Sequence, residues 1–559
     1  EGEGEGEGEE GEEGDGEQGD DAPASSSEHR STDPHRAPDP ALLERVRANL
    51  GARWSDAPLV DFEPLHAGEG GGVAVPPASK WTGSISGVMP TFRIEKINAP
   101  LVRDTLLFNG LRPTGGTGFL LQWSGPRMNQ ALYQELHEFQ RVNHFPGSTE
   151  LTQKDRLWNH FHRMAQTCEG SFDFVPESFV LPAQTEEFKE VYKTSQDIWI
   201  VKPHASSQGK GIYLLRNLDD LPAKDVSVVC KYVANPLLIQ GLKFDLRIYV
   251  LVTSFDPLRA YIYREGLTRF ASAPYSTEDE HLGDAYRHLT NYSINKKAQN
   301  FKENQKLESD NYGHKWSLSA LNRHLECVGV DVNLMWTRIM DLIVKTLLSV
   351  QPVISKKVAQ AKVHPQCCFE LYGFDVLVDE DLKPWLLEVN LSPSMAAESP
   401  LDKQIKSSLL SDTFNLVGLR RASARTVTES RLCSQLLSLR SHQRAARARG
   451  SGRGTVQAEE GGGEAPPALD VADLPGAIDQ LSDQELKLLM YSLEEQHRCH
   501  NFIPLYPTRP AVEFYAPLSS GLSAGEAHRA WLLAAVLCGA QRPLPGAQGS
   551  RPPSAAPSR

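Results

Sequence analysis

Residues 374–393 read FDVLVDEDLKPWLLEVNLSP. Two apolar segments flank an acidic turn, yet an Asp, a Glu and an Asn interrupt them. A turn centred between Asp381 and Leu382 pairs the segments as an antiparallel hairpin with residues 380–383 as a four-residue loop. In that register Asp375 lies opposite Glu388 and Leu377 opposite Leu386, and Asn390 shares the face of Glu388 because strand side chains alternate with period two. Like charges set directly opposite destabilise a sheet, so the pattern calls for a compensating cation, and oxygen donors of this kind suit Mg²⁺. The competing reading is a plain hairpin with a wet polar face. Leu377 and Leu386 on that face, and an apolar opposite face of Trp385, Leu387, Val389 and Leu391, argue against it.

Working outward, strand-like runs recur at WIVKP, VSVVCKYV, DLRIYVLVT and RAYIYRE, while LMWTRIMDLIVKTLLSV has the apolar spacing of a buried helix. This mixture predicts an α+β fold. In residues 199–215, WIVKPHASSQGKGIYLL, a strand ending at Lys202 runs into a loop of small residues. That loop can offer backbone NH groups and the Lys210 ammonium to a phosphate, although a Gly loop alone is weak and a plain hairpin explains it as well. A strand lysine, a Gly loop, a hinge-like VVCKYV and paired acidic ligands in that order are, however, the parts a bound ATP requires. In LKFDLRIYVLVT, residues 242–253, Lys243, Asp245 and Arg247 share one face and Phe244, Leu246, Ile248 and Val250 the other, which predicts a buried sheet lined by charge.

The 559 residues carry a formal charge of −13, but residues 1–21 hold 12 acidic and no basic side chains, so the remainder is nearly neutral. Eight cysteines without a CxxC indicate neither a zinc site nor a disulfide framework, and a reducing compartment is expected. No apolar run reaches the ~18 residues of a bilayer span. The chain does not begin with Met, so any targeting signal is unobservable. Residues 1–78, rich in Glu, Gly, Ser and Pro, are expected to be disordered. Residues 79–190 are read as a first lobe, with a helix at QALYQELHEFQRV, and 191–420 as the chemical core. Residues 421–453 form an Arg-rich segment, 454–475 a linker, 476–539 a helical extension with capping-box spacing at Ser482 and Glu485, and 540–559 a disordered tail.

The ordered set WIVKPHASSQGKGIYLL, CKYVANPLLIQGLKFDLRIYVLVTSFDPLRAYIYREGLTRFA, HLTNYSINKK, GHKWSL and ELYGFDVLVDEDLKPWLLEVNLSPS resembles the tubulin tyrosine ligase-like family, in its glutamylase branch. The likeness runs from about residue 90 to 420, includes VNHFPGSTELTQKDRLW, and is echoed more weakly by DQELKLLMYSLEEQHRCHNFIPLYPT. It implies an ATP-grasp fold with N-terminal, central and C-terminal lobes. It places Lys202, Gln208, Gly209, Cys230, Lys231, Tyr232, Val233, Lys243, Phe244, Asp245, Thr290 and Asn291 around ATP, and makes Asp375, Glu388 and Asn390 Mg²⁺ ligands. Lys202, Arg247 and Glu388 become catalytic, with Arg247 facing the transferred phosphate, while Gln208, Arg269, Tyr292, Ser293 and Lys315 hold the substrates. The implied reaction joins free L-glutamate to glutamates of tubulin C-terminal tails through an acylphosphate. The resemblance further implies a monomer bound to microtubules in the cytoplasm and cytoskeleton, including cilium or basal body, without nucleic acid or membrane partners. A glycine or tyrosine ligase of the same fold, or an inactive microtubule-binding protein, are the alternatives.

Overall fold

The computed structural model describes residues 40–51, 59–65, 90–126, 128–168, 170–204, 209–222, 225–304, 311–420, 478–519 and 521–537. The expectations for the acidic start, the Arg-rich segment 421–453, the linker 454–475 and the tail 540–559 fall outside them.

Helices and three sheets alternate along the chain. The first sheet is parallel and comprises β1 (Thr91–Glu95), β2 (Arg112–Pro113), β3 (Leu121–Ser124) and β4 (Arg141–Val142), in the order β2-β1-β3-β4. The second is antiparallel, with β5 (Ser178–Leu181), β6 (Trp199–Pro203), β7 (Tyr213–Leu215) and β8 (Ser227–Lys231) in the order β5-β8-β6-β7. The third, also antiparallel, contains β9 (Leu238–Ile239), β10 (Leu242–Phe255), β11 (Leu258–Phe270), β12 (Lys315–Ser317), β13 (Glu370–Val378), β14 (Pro384–Asn390) and β15 (Phe502–Tyr506). Its main path is β12-β11-β10-β13-β14, with β15 joined to β11 and β9 to β10.

Period-two alternation on β10 divides this third sheet into two faces. Phe244, Leu246, Ile248 and Val250 are buried in one core with Met335, Ile339 and Leu342 of the helix Val332–Ala361. On the other face Tyr249 and Leu251 pack with Leu409, Leu410 and Phe414 of the helix Pro400–Val417 and with Phe92 and Trp123 of the first sheet. That covering stops short of Lys243, Asp245 and Arg247, which leaves a polar floor at one end of the sheet.

Three sequence expectations change. The helix expected at QALYQELHEFQRV ends at Glu135, and Arg141–Val142 instead extends the first sheet beside β3. The boundary drawn at residue 190 cuts through the second sheet, because β5 pairs with β8. The leader is also not featureless: Pro40–Leu50 is a helix whose Val46 and Leu50 are buried with Leu489, Met490 and Leu533. Its stripe of Leu42, Leu43, Val46 and Leu50 is a helical spacing that the low-complexity surroundings obscured. Farther on, Phe62 NH donates to Asn415 Oδ1 at 2.8 Å and fastens residues 59–65 to the helix Pro400–Val417.

The segment after the linker is more than helical. The helix Asp483–His497 begins with the expected capping box of Ser482 and Glu485, and the chain then supplies β15 to the third sheet. Glu495 lies at the centre of this junction. It accepts from Arg259 at 3.0 and 3.2 Å, from Thr253 Oγ1 at 2.9 Å and from Tyr261 OH at 2.8 Å. Arg259 and Glu495 are 1% and 3% exposed, so each depends on the other for compensation of its charge.

Candidate active site

The polar floor is a row of charges in cross-strand register. Lys315 on β12 pairs with Arg269 on β11, and Arg269 with Asp245 on β10; two residues farther along β10, Arg247 pairs with Asp375 on β13, and Asp375 with Glu388 on β14. The side chains follow the register. Arg247 grips Asp375 through Nε–Oδ1 at 2.6 Å and Nη2–Oδ2 at 3.1 Å, and Arg269 donates to Asp245 and also reaches Asp375 Oδ2 at 2.8 Å. Burial alone would raise the Asp375 pKa, but Arg247 and Arg269 outweigh it and hold the carboxyl well below its usual range.

Asp375 and Glu388 face each other as the hairpin pattern predicts, but the register toward the turn is corrected. Val376 pairs with Leu386 and Leu377 with Trp385, so Leu387 is the extra residue of a β-bulge. Asp379 causes the tight turn: its carboxylate accepts from the NH groups of Asp381 and Lys383 and from Trp385 Nε1, at 2.8–3.0 Å. The bulge turns Leu386 into the core and brings Leu387 to the site beside Glu388, a re-aiming for which bulges are suited.

Above the floor lies a cleft with about 690 Å³ of empty space between the second and third sheets. Lys202, Lys231, Tyr232, Val233, Lys243, Asp245, Thr290, Asn291, Asp375 and Glu388, all singled out from sequence, line it. Pro176, Ile200, Ile212, His288, Leu289 and Leu387, not singled out from sequence, complete its largely apolar walls with Leu377, which the hairpin pattern had put on the face of Asp375. Most are residues of ordinary core type, whose exposure to a cleft has no local signal; only His288 and Leu289, the first two residues of HLTNYS, lie inside a stretch already marked as polar. Lys243 Nζ donates to Tyr232 OH at 2.8 Å; Tyr232 OH lies 3.0 Å from His288 Nδ1, and His288 Nε2 lies 3.1 Å from the His281 carbonyl. Burial and the neighbouring Lys202 push the Lys243 ammonium down to about 7. Burial lowers His288 as well, which makes it a neutral ring with Nε2–H donating to His281.

Gly209 has φ +73°, and a Cβ there would lie 2.7 Å from Asn291 Oδ1 and 2.6 Å from Ile294 Cδ1. The Gly-loop backbone therefore approaches the Thr290–Asn291 wall as only glycine can. Gln208 lies outside the described residues. Cys230 is buried and borders an adjoining cavity that shares Lys202 and Glu388 with the cleft. Phe244 is corrected: its side chain points to the opposite face and packs against Phe270 at 5.6 Å, as strand alternation requires.

Beyond Arg269, Lys315 Nζ lies 4.1 Å from the Tyr292 ring centre and 2.7 Å from Asp402 Oδ2. Lys406 contacts the other Asp402 oxygen at 3.1 Å, and Ser293 occupies the short helix Tyr292–Asn295. Sequence reasoning missed Asp402 and Lys406, because nothing local relates the helix Pro400–Val417 to β12. Arg247, Arg269, Lys315 and Lys406 face Asp245, Asp375 and Asp402, an arrangement with one cation more than it has anions and suited to carboxylate or phosphate groups.

Asp375, Glu388 and Asn390 offer two carboxylates and an amide, with Asn390 Nδ2 donating to the Gly373 carbonyl at 3.2 Å. An all-oxygen donor set without sulfur or imidazole fits a hard divalent cation such as Mg²⁺. Lys154 Nζ, not anticipated from sequence, meets Glu388 Oε2 at 2.8 Å. No helix among the described residues is long and apolar enough to cross a membrane.

Residues 132–425 match the model of the tubulin-tyrosine ligase family. The chain is 40% identical over 435 residues to tubulin polyglutamylase TTLL5 of Mus musculus, covering 76% of this chain and 32% of that protein. It is 42% identical over 343 residues to tubulin polyglutamylase ttll-5 of Caenorhabditis elegans, covering 58% and 47%. With tubulin monoglutamylase TTLL4 of Homo sapiens it shares 42% identity over 308 residues, covering 55% and 26%. The chain thus spans between about a quarter and a half of the length of these curated relatives.

Proposed function

Since the chain belongs to the tubulin-tyrosine ligase family, we propose that it is an ATP-dependent ligase that adds free L-glutamate to glutamate side chains of tubulin C-terminal tails. The observation that carries this reading is the charged row on the third sheet, set beneath a cleft lined by Lys202, Lys243, Thr290 and Asn291. Its three-sheet arrangement supports an ATP-grasp architecture, with nucleotide between the second and third sheets. The apolar wall formed by Ile200, Ile212 and Leu289 suits a base, and Lys202 and Lys243 suit phosphates.

Asp375, Glu388 and Asn390 would hold Mg²⁺. That cation would neutralise the triphosphate and polarise its oxygens. Arg247, fixed by Asp375, would stabilise charge on a transferred phosphoryl group. The acceptor carboxylate attacks the γ-phosphorus and forms an acylphosphate as ADP leaves. The donor amine then attacks the acyl carbon, forming the amide and releasing phosphate and a proton. Arg269, Lys315 and Lys406 supply cations for donor carboxylates beside Tyr292. The chemistry relies on alignment and charge neutralisation, as phosphoryl transfer does elsewhere.

The test is ATP-dependent incorporation of labelled glutamate into tubulin, run in parallel with labelled glycine and tyrosine. Glutamate incorporation alone is expected. Preferential glycine or tyrosine transfer would reassign the donor, and no transfer at all would favour a non-catalytic microtubule-binding role.

A further inference from the structure

The three proposed oxygen donors, of which Asp375 and Glu388 line the cleft, are compensated in different ways. Asp375 is held in the fork of one arginine and touched by a second. Asn390 is neutral and needs no counter-ion. Glu388 instead meets Lys154, whose Nζ lies 2.8 Å from Oε2, with the two side chains 14% and 19% exposed. An ammonium on a flexible four-carbon stem is a movable point charge, unlike the rigid guanidinium fork on Asp375.

Lys154 also occupies an unfavourable position for a cation. It is the first residue of the helix Lys154–Thr167, and no side chain caps that end. Exposed NH groups make a helix N-terminus positive, so a lysine there is repelled by its own helix. Asp155 in the same first turn offsets part of that repulsion, and the attraction to Glu388 offsets more of it. A divalent cation carries twice the charge of the ammonium and accepts several oxygen ligands at once, which favours it once further donors are supplied.

We infer that Lys154, which meets Glu388 from the adjoining cavity, is a positioning residue that acts as a tethered counter-ion for this carboxylate and competes with a divalent cation for its oxygen. The inference rests on the reading of Asp375, Glu388 and Asn390 as cation ligands. Its consequence is that the metal binds poorly alone and well when a nucleotide brings additional oxygens. Lys154 thereby links metal occupancy to nucleotide occupancy.

The test uses the full 559-residue chain and Mn²⁺ as probe, with free ion followed by electron paramagnetic resonance. Without nucleotide, Lys154→Met and Lys154→Gln should each bind Mn²⁺ roughly tenfold more tightly than the native chain. Lys154→Arg, which retains the charge, should stay within about threefold of native. A residue that served folding alone would not tighten binding when removed. Unchanged or weaker Mn²⁺ binding by folded Lys154→Met and Lys154→Gln overturns the inference. Glu388→Gln separates that failure from failure of the ligand reading: it should lose Mn²⁺ binding in the presence of ATP. If it keeps that binding, the ligand reading and the inference fall together.

Discussion

Arg247 and Asp375 are Cα partners on adjacent strands β10 and β13, and their side chains meet in a two-pronged ion pair at 2.6 and 3.1 Å. Asp375 therefore has a structural task besides any role as a cation ligand, and its substitution has a different signature from that of Glu388.

Asp375→Asn should lose glutamate incorporation and also destabilise the fold by about 3–5 kcal/mol, because it leaves the part-buried Arg247 and the buried Arg269 without their shared carboxylate. Glu388→Gln should lose incorporation at a smaller stability cost, since Glu388 pairs with Lys154 alone whereas Asp375 pairs with both Arg247 and Arg269. Denaturant unfolding and labelled-glutamate incorporation measure the two effects. Near-native incorporation by either variant would remove it from the ligand set.

Gly209→Ala places a methyl group against Asn291 and Ile294 at a positive φ. The loop must shift away from the cleft, and ATP affinity is expected to fall about tenfold or more. Calorimetric titration with ATP reads the change, and circular dichroism should remain that of the native chain. Undiminished affinity would mean that this loop does not cover the nucleotide.

Lys243, pushed down to about 7 by burial and by Lys202, is largely neutral above that value. An anionic ligand favours the protonated ammonium, so nucleotide binding should take up a proton and weaken as pH rises from about 7 to 8.5. Calorimetry in buffers of different ionisation heat counts the proton. Lys243→Met should bind more weakly and lose the uptake. A native chain that binds without proton uptake contradicts the assignment.

Glu495→Ala leaves Arg259 buried without its partner and removes the acceptor of Thr253 and Tyr261. A loss of about 3–5 kcal/mol is expected on chemical denaturation. A loss below about 1 kcal/mol would show that Arg259 is compensated otherwise.

The folded state contributes a further pH dependence through His144. Its Nδ1 lies 2.5 Å from Glu370 Oε1 and its Nε2 lies 2.9 Å from the Ser124 carbonyl. Burial would lower its pKa, but Glu370 raises it above the ordinary value. The imidazolium thus contributes stability that is fully present below the unfolded-state pKa and lost as pH rises through the folded-state pKa. The melting temperature should fall across that interval, and His144→Gln should reduce the dependence. An unchanged pH profile in a folded variant would locate the effect elsewhere.

Much of the polar floor was legible because strands alternate with period two. The spacing of Lys243, Asp245 and Arg247 placed them on one face, and the symmetry of the hairpin set Asp375 opposite Glu388, as the register bears out. Phe244 belonged to the other face by the same rule, and the structure follows the rule rather than the residue's proximity in sequence to Lys243 and Asp245. The bulge at Leu387 was not legible, because it depends on how Asp379 organises the turn through three hydrogen bonds.

By itself, then, the amino-acid sequence determined which side chains of β10 share a face and that Asp375 opposes Glu388, since period-two geometry is local wherever no bulge interrupts it. Only the tertiary structure decided what neutralises them. Arg247 lies 128 residues before Asp375, and Lys154 reaches Glu388 from a helix outside the third sheet. Lys406 comes to Lys315 from a helix on the covering layer through their shared Asp402. Ion pairs between distant segments have no periodicity to announce them; they form where packing brings opposite charges together in a medium too poor in water to solvate either alone.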